Sequence, residues 1–199
     1  MVYCNKKSIA EDLEPCYTIN GKTNPDEWGA VPTSNDETWS AATCDFTKNG
    51  YRLPTEVEWE YAARGGKAGC EAANPTDWAG TDDSAELGKY AWHNSNSGSK
   101  THEVKTEKQA GVNSANSLGI YDMSGNVSEW CWDRYDSTNT PSITATTPVT
   151  GVSSGSSRVN RGGNWEKADV NCSVAIRGRL SPYGLGGGGV GFRVVRTAP

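Results

Sequence analysis

A single segment, residues 55–64, carries a complete set of helix signals, and it constrains the fold more than any other feature of the sequence. Thr55 and Glu58 have the spacing of a capping box, in which the threonine hydroxyl and the glutamate carboxylate accept backbone N–H groups at the start of a helix. The glycine pair at 65–66 predicts that the helix ends there. Because the apolar residues fall on one face, we expect that face to pack inward. The residues of this face are Trp59, Ala62 and Ala63.

Elsewhere the chain offers only short or weak patterns. A second helix is predicted over about residues 7–13. Residues 137–157 contain no charged side chain and are dominated by Ser and Thr, so we expect a surface loop, since this composition cannot build a core. Four further segments have the composition of strands: 119–123, 159–163, 172–177 and 192–196.

The composition indicates one loop-rich domain whose core depends on a few large aromatic side chains. Hydrophobic residues make up only 35% of the 199 residues, whereas the chain has 23 glycines, 8 tryptophans and 8 tyrosines. A net charge of -5 argues against binding to nucleic acid, whose phosphates need a basic patch. No run of about 18 apolar residues occurs, so we expect no transmembrane segment in this chain. The residues after Met1 also lack the apolar stretch of a signal peptide.

The cysteines leave two interpretations open. Their spacings are wide and include no CxxC pair, which argues against a zinc finger or ribbon. Either one or two disulfides form in an exported protein, or the thiols are free and buried. The positions are Cys4, Cys16, Cys44, Cys70, Cys131 and Cys172.

Four blocks follow one another along the chain: YRLPTEVEWEYAARGG at 51–66, GIYDMSGNVSEW at 119–130, RGGNW at 161–165 and GFR at 191–193. Together they resemble the signature blocks of the formylglycine-generating (sulfatase-modifying) enzyme family. The resemblance covers nearly the whole chain and implies an α+β fold, a C-type lectin-like fold of the formylglycine-generating enzyme subtype with short strands and much irregular loop. We expect residues 1–199 to form a single such domain that lacks its N-terminal part, because the first residues resemble a mid-domain segment.

The second block contains a candidate calcium site. Asp122 and Glu129 supply two carboxylates, Gly125 and Val127 offer carbonyl oxygens, and hard oxygen ligands at this density suit calcium. Members of the family bind calcium at the matching positions, so the resemblance implies a structural calcium ion held by these four residues. The alternative is that Asp122 caps a turn and Glu129 is solvated or salt-bridged, since the spacing is not that of an EF-hand.

The catalytic centre of the family is incomplete in this sequence. Its enzymes use two cysteines five residues apart, and the pair binds copper(I), which soft thiolates favour. Lys167 occupies the first of these positions and Cys172 the second. A single thiolate cannot form the same site, so we expect no copper, no catalytic residue and no formylglycine-generating activity. We interpret Cys172 as a small buried hydrophobe in a strand, and a thiol activated by Lys167 is the remaining case for chemistry.

The composition changes abruptly near the C-terminus. Residues 168–199 contain no Lys, Glu, Gln, Met or Trp, whereas the first 167 residues contain 34 residues of these five types. These types are the ones that an AAC or AAT codon cannot reach when only its adenines are randomised. Diversity-generating retroelements randomise adenines in this way, and their targets include proteins with the formylglycine type of lectin fold. Residues 164–196 therefore resemble the variable region of such proteins, most closely the Treponema type, and an ordinary glycine-rich loop is the alternative.

The tail divides into an expected framework and an expected variable face. The framework should be buried, with Trp165 and Cys172 in the core. It comprises Arg161, Gly162, Gly163, Trp165, Ala168, Cys172, Val174, Ala175, Arg177, Pro182, Gly191, Phe192 and Arg193. The variable face should be exposed and bind the ligand, with Arg179 and Tyr183 as its anchors. Its residues are Asp169, Val170, Ile176, Gly178, Arg179, Leu180, Ser181, Tyr183, Gly184, Leu185, Gly186, Gly187 and Gly188.

These features favour a non-catalytic ligand-binding protein, diversified by a retroelement, that displays a variable C-terminal surface on a C-type lectin scaffold. The alternatives are an oxidoreductase of the formylglycine-generating family with an altered active site, and an accessory structural domain. Lys167 argues against the enzyme, and the compositional break after it favours the binding protein over the accessory domain. The ligand is expected to be a protein or glycan on another cell. Export to the bacterial cell surface is implied by the resemblance alone.

Overall fold

The computed structural model describes residues 1–106, 111–138, 155–183 and 187–197. Most of the predicted loop at 137–157, and the predicted face residues Gly184, Leu185 and Gly186, lie outside these ranges. Within them, no helix is long and apolar enough to cross a membrane. Contacts divide the chain into two compact units. The first comprises Met1–Pro54, Ser181–Leu185 and Arg193–Pro199, and the second Thr55–Leu180 and Gly186–Phe192.

The first unit consists of short elements around buried polar contacts. Its elements are α1 (Val2–Ala10), β1 (Tyr17–Thr18), a 3₁₀ helix (Pro25–Glu27), α2 (Glu37–Ser40), β2 (Thr43–Cys44), β3 (Tyr51–Arg52) and β8 (Val195–Arg196). β1 pairs with β2 and β3 pairs with β8, both antiparallel. The fully buried Asn5 joins α1 to this unit, because its amide nitrogen donates to the carbonyl oxygens of Tyr17 and Thr23 at 2.7 and 2.8 Å.

The second unit is built on one four-stranded sheet. Its elements are α3 (Glu56–Ala63), α4 (Lys67–Cys70), a 3₁₀ helix (Leu87–Lys89), β4 (Ser128–Arg134), β5 (Arg158–Arg161), a 3₁₀ helix (Asp169–Cys172), β6 (Arg177–Leu180) and β7 (Val190–Gly191). The strand order is β6-β5-β4-β7. β5 pairs antiparallel with both β4 and β6, while β7 is parallel to β4. β6 is therefore an edge strand, with β5 on its inner side.

The predicted helix at 55–64 is confirmed as α3. Thr55 caps it, and both hydrogen bonds of the capping box with Glu58 are present. Gly65 has a φ of +82°, and the Gly66 N–H donates to the Tyr61 carbonyl at 2.8 Å, which ends the helix in a Schellman motif. The inward face is confirmed as well. Trp59 and Ala63 are buried in a cluster with Ala79, Met123, Cys131, Val159 and Val174, and Ala62 packs against it.

The other predicted boundaries need correction. The N-terminal helix is Val2–Ala10, earlier than the predicted 7–13, because Asp12 takes a φ of +55° and the Leu13 N–H donates back to the Ser8 carbonyl at 2.8 Å. The strand predicted at 119–123 is absent, since Asp122 has a φ of +58°. The segment 172–177 is also no strand: Cys172 ends a 3₁₀ helix and β6 begins only at Arg177.

Two predicted strands are partly right, and the longest strand was not predicted. β5 covers Arg158–Arg161 and stops at Gly162, whose φ is +91°. Of residues 192–196, only Val195–Arg196 form a strand. β4 escaped prediction because its buried positions include Glu129 and Asp133, so the alternation of apolar and polar residues that marks a strand is missing.

Candidate functional site

Of the predicted calcium ligands, Asp122, Gly125 and Val127 lie in the loop that leads into β4, and Glu129 is the second residue of that strand. Both carboxylates are buried, with 9% of Asp122 and 6% of Glu129 exposed. An oxygen of Asp122 accepts the Lys105 backbone N–H at 2.7 Å, and one of Glu129 accepts the Trp59 indole N–H at 2.7 Å. Glu129 is therefore not the solvated residue that one alternative described.

Backbone contacts fix the shape of this loop. The Gly125 N–H donates to the Gly162 carbonyl and the Asn126 N–H to the Trp92 carbonyl, both at 2.7 Å. Gly125 has a φ of +75°, and a methyl group there would lie 2.2 Å from the Trp92 carbonyl oxygen. The Asn126 amide binds both backbone groups of His102, at 3.0 and 3.1 Å. The loop is thus preorganised, and only glycine fits at position 125.

The donor chemistry of the loop fits a hard cation. Two buried carboxylates in one short segment are costly unless positive charge or hydrogen bonds compensate them. Among the described residues, no cluster of three or more His, Cys, Asp and Glu side chains is arranged to hold a metal. A cation here would therefore need backbone carbonyls in addition to Asp122 and Glu129, which is the ligand mixture that calcium accepts.

Lys167 and Cys172, at the two positions of the family's cysteine pair, lie in opposite environments. The Lys167 side chain is exposed, whereas Cys172 is fully buried with Trp78, Leu87 and Ala91. Burial raises the pKa of the Cys172 thiol to about 12, and the nearby Asp169 carboxylate adds to the rise. Cys172 is thus a protonated, inert thiol near neutral pH. The burial that we predicted for it is confirmed, but its place in a strand was wrong.

All six cysteines are free thiols, and Cys4, Cys16, Cys131 and Cys172 are buried. The structure thus agrees with the free-thiol interpretation. Burial is also the largest cause of the raised pKa at Cys4, Cys16 and Cys44.

Two side chains of the segment before Cys172 donate hydrogen bonds to the carbonyls of Gly188 and Gly189, which joins the two segments. Asn164 is buried, and its amide nitrogen donates to the Gly189 carbonyl at 3.1 Å. A methyl group at Gly189 would lie 2.5 Å from that nitrogen, so the two segments pack closely. Trp165 donates its indole N–H to the Gly188 carbonyl at 3.4 Å and is only half-buried. The prediction that Trp165 lies in the core was therefore wrong.

In the second unit, the described residues of the predicted variable face are all at least partly exposed. Val170, Ile176, Arg179 and Leu180 are exposed, as are Gly187 and Gly188, while Asp169 and Gly178 are half-buried. Val170 and Ile176 leave 61% and 44% of their surface in solvent. Gly178 is tightly placed, because a methyl group there would lie 2.2 Å from the Asn160 amide oxygen. Any larger residue at 178 must displace that buried amide.

In the first unit, Ser181 is exposed and Tyr183 is half-buried. The Tyr183 hydroxyl bonds to the Ser40 hydroxyl and donates to the Asp36 carbonyl at 3.1 Å. This tyrosine is therefore held by α2 and its N-cap residue. That all the variable positions share one face stays a prediction.

The framework is buried only in part. Arg161, Gly162, Cys172 and Val174 are buried, as predicted. Ala175, Pro182 and Phe192 are exposed, so the prediction was wrong for them. The remaining framework residues are half-buried: Gly163, Trp165, Ala168, Arg177, Gly191 and Arg193. Composition cannot separate structural from exposed positions in a segment with so few regular elements.

A network of charged side chains, which the sequence did not reveal, connects α3 to β6. Glu60 forms ion pairs with Arg64, at 2.8 Å, and with Arg161. Arg161 in turn lies 3.3 Å from Glu56. Glu56 accepts two hydrogen bonds from Arg177, at 2.6 and 2.8 Å. The spacing of Glu56, Glu60 and Arg64 along one helix face was the available signal. Their partners on the strands come from about a hundred residues away, which sequence spacing cannot identify.

The guanidinium groups of Arg177 and Arg179 both lie over the ring of Tyr135, at 5.0 and 5.3 Å from its centre. Arg177 is tied to Glu56, whereas no carboxylate in the described part of the chain pairs with Arg179. Arg179 thus presents an oriented cation to solvent at the sheet edge.

Comparison with known proteins identifies relatives along the whole chain. The profile of the sulfatase-modifying factor enzyme 1-like domain matches residues 1–198. Chaperone protein LppX of Paenibacillus barcinonensis is 36% identical over 207 residues, covering 98% of this chain and 65% of that protein. The formylglycine-generating enzyme of Streptomyces coelicolor is 35% identical over 171 residues, covering 80% of this chain and 51% of that enzyme.

The solved structure of Treponema denticola variable protein 1 is similar to this chain with a TM-score of 0.78 and 43% identity. The similarity covers 97% of this chain and 66% of that one. It confirms the predicted α+β class and the lectin-like fold of the formylglycine-generating type. The chain spans only about half to two thirds of the length of these three proteins.

Proposed function

We propose that this chain, which belongs to the sulfatase-modifying factor enzyme 1-like domain family, is a non-catalytic ligand-binding protein that displays a changeable surface. One contrast in burial carries the proposal. The thiol at the second catalytic position, Cys172, is completely buried, while every described position of the predicted variable face keeps some exposure. The tail thus supports a surface for contact rather than a reactive centre.

The environments of two residues support the proposed lack of catalysis. Copper(I) needs two thiolates, and an exposed ammonium at Lys167 replaces one of them. The other, Cys172, stays protonated because its pKa is raised to about 12. Cys172 by itself cannot form the family's two-sulfur site, so we propose that the chain binds no copper.

The binding surface that we propose lies on β6 and the 3₁₀ helix Asp169–Cys172 of the second unit. Val170 and Leu180 expose apolar side chains there, and so does Ile176 just before β6. Exposed apolar groups contribute most of the free energy when a partner covers them. Arg179 stands over Tyr135 and supplies an oriented cation. Apolar contacts around a fixed arginine are typical of binding hot spots.

The ligand that we propose is a protein or glycan on another cell, and the location is the bacterial cell surface. Two relatives support this idea, a Treponema denticola variable protein and a chaperone protein named LppX. The compositional break after Lys167 supports diversification by a retroelement. Sequencing the locus in many isolates tests that origin, and we expect substitutions confined to adenines within codons 164–196. Substitutions spread evenly over all four bases would contradict it.

A structural calcium ion is part of the proposal. Asp122 and Glu129 would hold it through their side chains, and Gly125 and Val127 through their carbonyls. The preorganised loop and its two buried carboxylates support this assignment. The ion would stabilise the loop and take no part in chemistry.

An enzyme of the formylglycine-generating type is the second candidate, because the Streptomyces coelicolor enzyme is 35% identical. Incubation with copper(I), oxygen and a cysteine-containing sulfatase peptide separates the two functions. Mass spectrometry should show the peptide cysteine unchanged with this protein and converted to an aldehyde with the Streptomyces enzyme as the positive control. Catalytic turnover by this protein would overturn the proposed function.

A further inference from the structure

A pocket lined by both polar and apolar groups opens in the second unit at the end of α3, between Gly69 of α4, the segment 72–80 and residues 113–117. Its volume is about 290 Å³, just below the range of pockets that hold drug-sized ligands. It contains none of the predicted calcium ligands and none of the predicted variable positions. The side chains that matter to its chemistry are Arg64, Asn74, Thr76, Tyr90, Asn113 and Ser117.

The floor of the pocket is rigid because Asn116 satisfies four backbone groups. Its amide nitrogen donates to the carbonyls of Ala62 and Ala63 at 2.6 and 3.3 Å, which caps the end of α3. Its amide oxygen accepts the N–H groups of Leu118 and Ile120 at 3.0 and 3.1 Å. A pocket whose walls are fixed in this way loses little conformational entropy when a ligand binds.

Several polar groups in the pocket have no partner in the part of the chain that the structure describes, and Asn74 and Asn113 among them are open to solvent. In the described part of the chain, the side chains of Asn74, Thr76 and Tyr90 make no hydrogen bond. Asn113 uses its amide oxygen to accept from Tyr121 at 3.0 Å, and its amide nitrogen has no partner among the described residues. These amides and hydroxyls both donate and accept, as ligand hydroxyl groups do.

The charge of the pocket argues against an ionic ligand. Two nitrogens of Arg64 already hold Glu60, each at 2.8 Å. The half-buried ring of Tyr90 adds an apolar wall, and it is fixed against Gly80, where a methyl group would lie 2.7 Å from the ring. Uncharged hydrogen-bonding groups beside one aromatic ring suit a ligand that carries both hydroxyl and C–H groups. We propose that this pocket binds a neutral monosaccharide unit, independently of the surface on β6.

Saturation-transfer NMR on the full chain tests the proposal with glucose, galactose, mannose, N-acetylglucosamine and glucuronate as probes. We expect at least one neutral sugar to receive saturation, with a dissociation constant on the order of 1 mM. The variant Asn74→Ala/Thr76→Val should weaken that binding by about tenfold or more, because it removes two hydrogen-bonding groups. Asn94→Ala/Thr101→Val, at two exposed positions outside the pocket, is the matched control and should bind as the wild type does.

Melting curves of both double variants establish that the fold is intact, and Tyr90→Phe, which keeps the ring, is a milder second probe of the pocket. The proposal is wrong if no neutral sugar receives saturation. It is equally wrong if the pocket variants bind as tightly as the control, since the sugar then sits elsewhere. Tighter binding of glucuronate than of glucose would overturn the assignment to neutral sugars.

Discussion

Arg177 and Arg179 lie two residues apart on β6 yet have different roles. Both guanidinium groups lie over Tyr135, but only Arg177 is held by a buried carboxylate, that of Glu56. Removing Arg177 takes two hydrogen bonds from the buried Glu56 carboxylate, which still faces Arg161 at 3.3 Å, whereas removing an exposed side chain costs little. The two arginines therefore allow a matched comparison on one strand.

We predict that Arg177→Ala lowers the free energy of unfolding by about 2 kcal/mol, because it removes hydrogen bonds to a buried charged group that keeps its second arginine. Arg179→Ala should change it by less than about 0.5 kcal/mol, because its side chain is exposed. Chemical denaturation of the two variants measures both values. Equal losses in the two variants would show that Arg179 is part of the structural network rather than of the surface.

The raised pKa of the Cys172 thiol predicts that the free energy of unfolding falls at alkaline pH. Its pKa is raised from 9.0 to about 12 in the folded state, so above pH 9 the unfolded chain releases a proton that the folded chain keeps. This stabilising contribution is therefore present below pH 9 and is lost as pH rises, by about 1.4 kcal/mol per pH unit. Wild type should lose stability more steeply than Cys172→Ala between pH 9 and 11. Parallel curves for the two proteins would contradict the burial of this thiol.

A helix or strand could be predicted where its sequence signals lie within the element itself. The capping box and the glycine stop define α3 within a few residues, so the sequence contained the whole helix. β4 is the opposite case: its buried Asp133 accepts the Glu56 N–H at 2.7 Å, so its partner lies 77 residues away. A buried polar residue looks like a surface residue until its partner is known. In the segment 172–177 the apolar residues correctly predicted that Cys172 is buried, but they did not determine the backbone conformation, and the predicted strand was wrong.

The proposed calcium site at Asp122, Gly125, Val127 and Glu129 leads to a prediction about thermal stability. Calcium at about 100 times its dissociation constant should stabilise the fold by about 2.7 kcal/mol, which raises the melting temperature by about 5–10 °C. Asp122→Asn should abolish the effect, and asparagine tolerates the left-handed φ of +58° at this position. Asp82→Asn, at an exposed position, is the control and should keep the response. Equal melting temperatures in calcium and in EDTA for wild type would rule the ion out.

At the scale of the whole molecule, the four sequence blocks predicted the family and the fold class, which the Treponema denticola structure confirms. The functional part was harder to predict, because exposure in an irregular tail depends on contacts that no local pattern encodes. Ala175, Pro182 and Phe192 illustrate this: we expected them inside, and they are exposed. Most of the predicted variable positions, in contrast, do reach solvent. The proposed function therefore requires that this surface can change while the fold persists.

Thermal unfolding of one combined variant tests this claim most directly. Val170, Ile176, Arg179 and Leu180 are replaced together by serine, and Val174→Ser, at a fully buried position, is the control. We predict that the fourfold variant stays folded and loses less than about 2 kcal/mol, whereas the single control loses about 3 kcal/mol or more. If the fourfold variant unfolds, or loses more stability than Val174→Ser, the tail is part of the core and the display of a changeable surface is refuted.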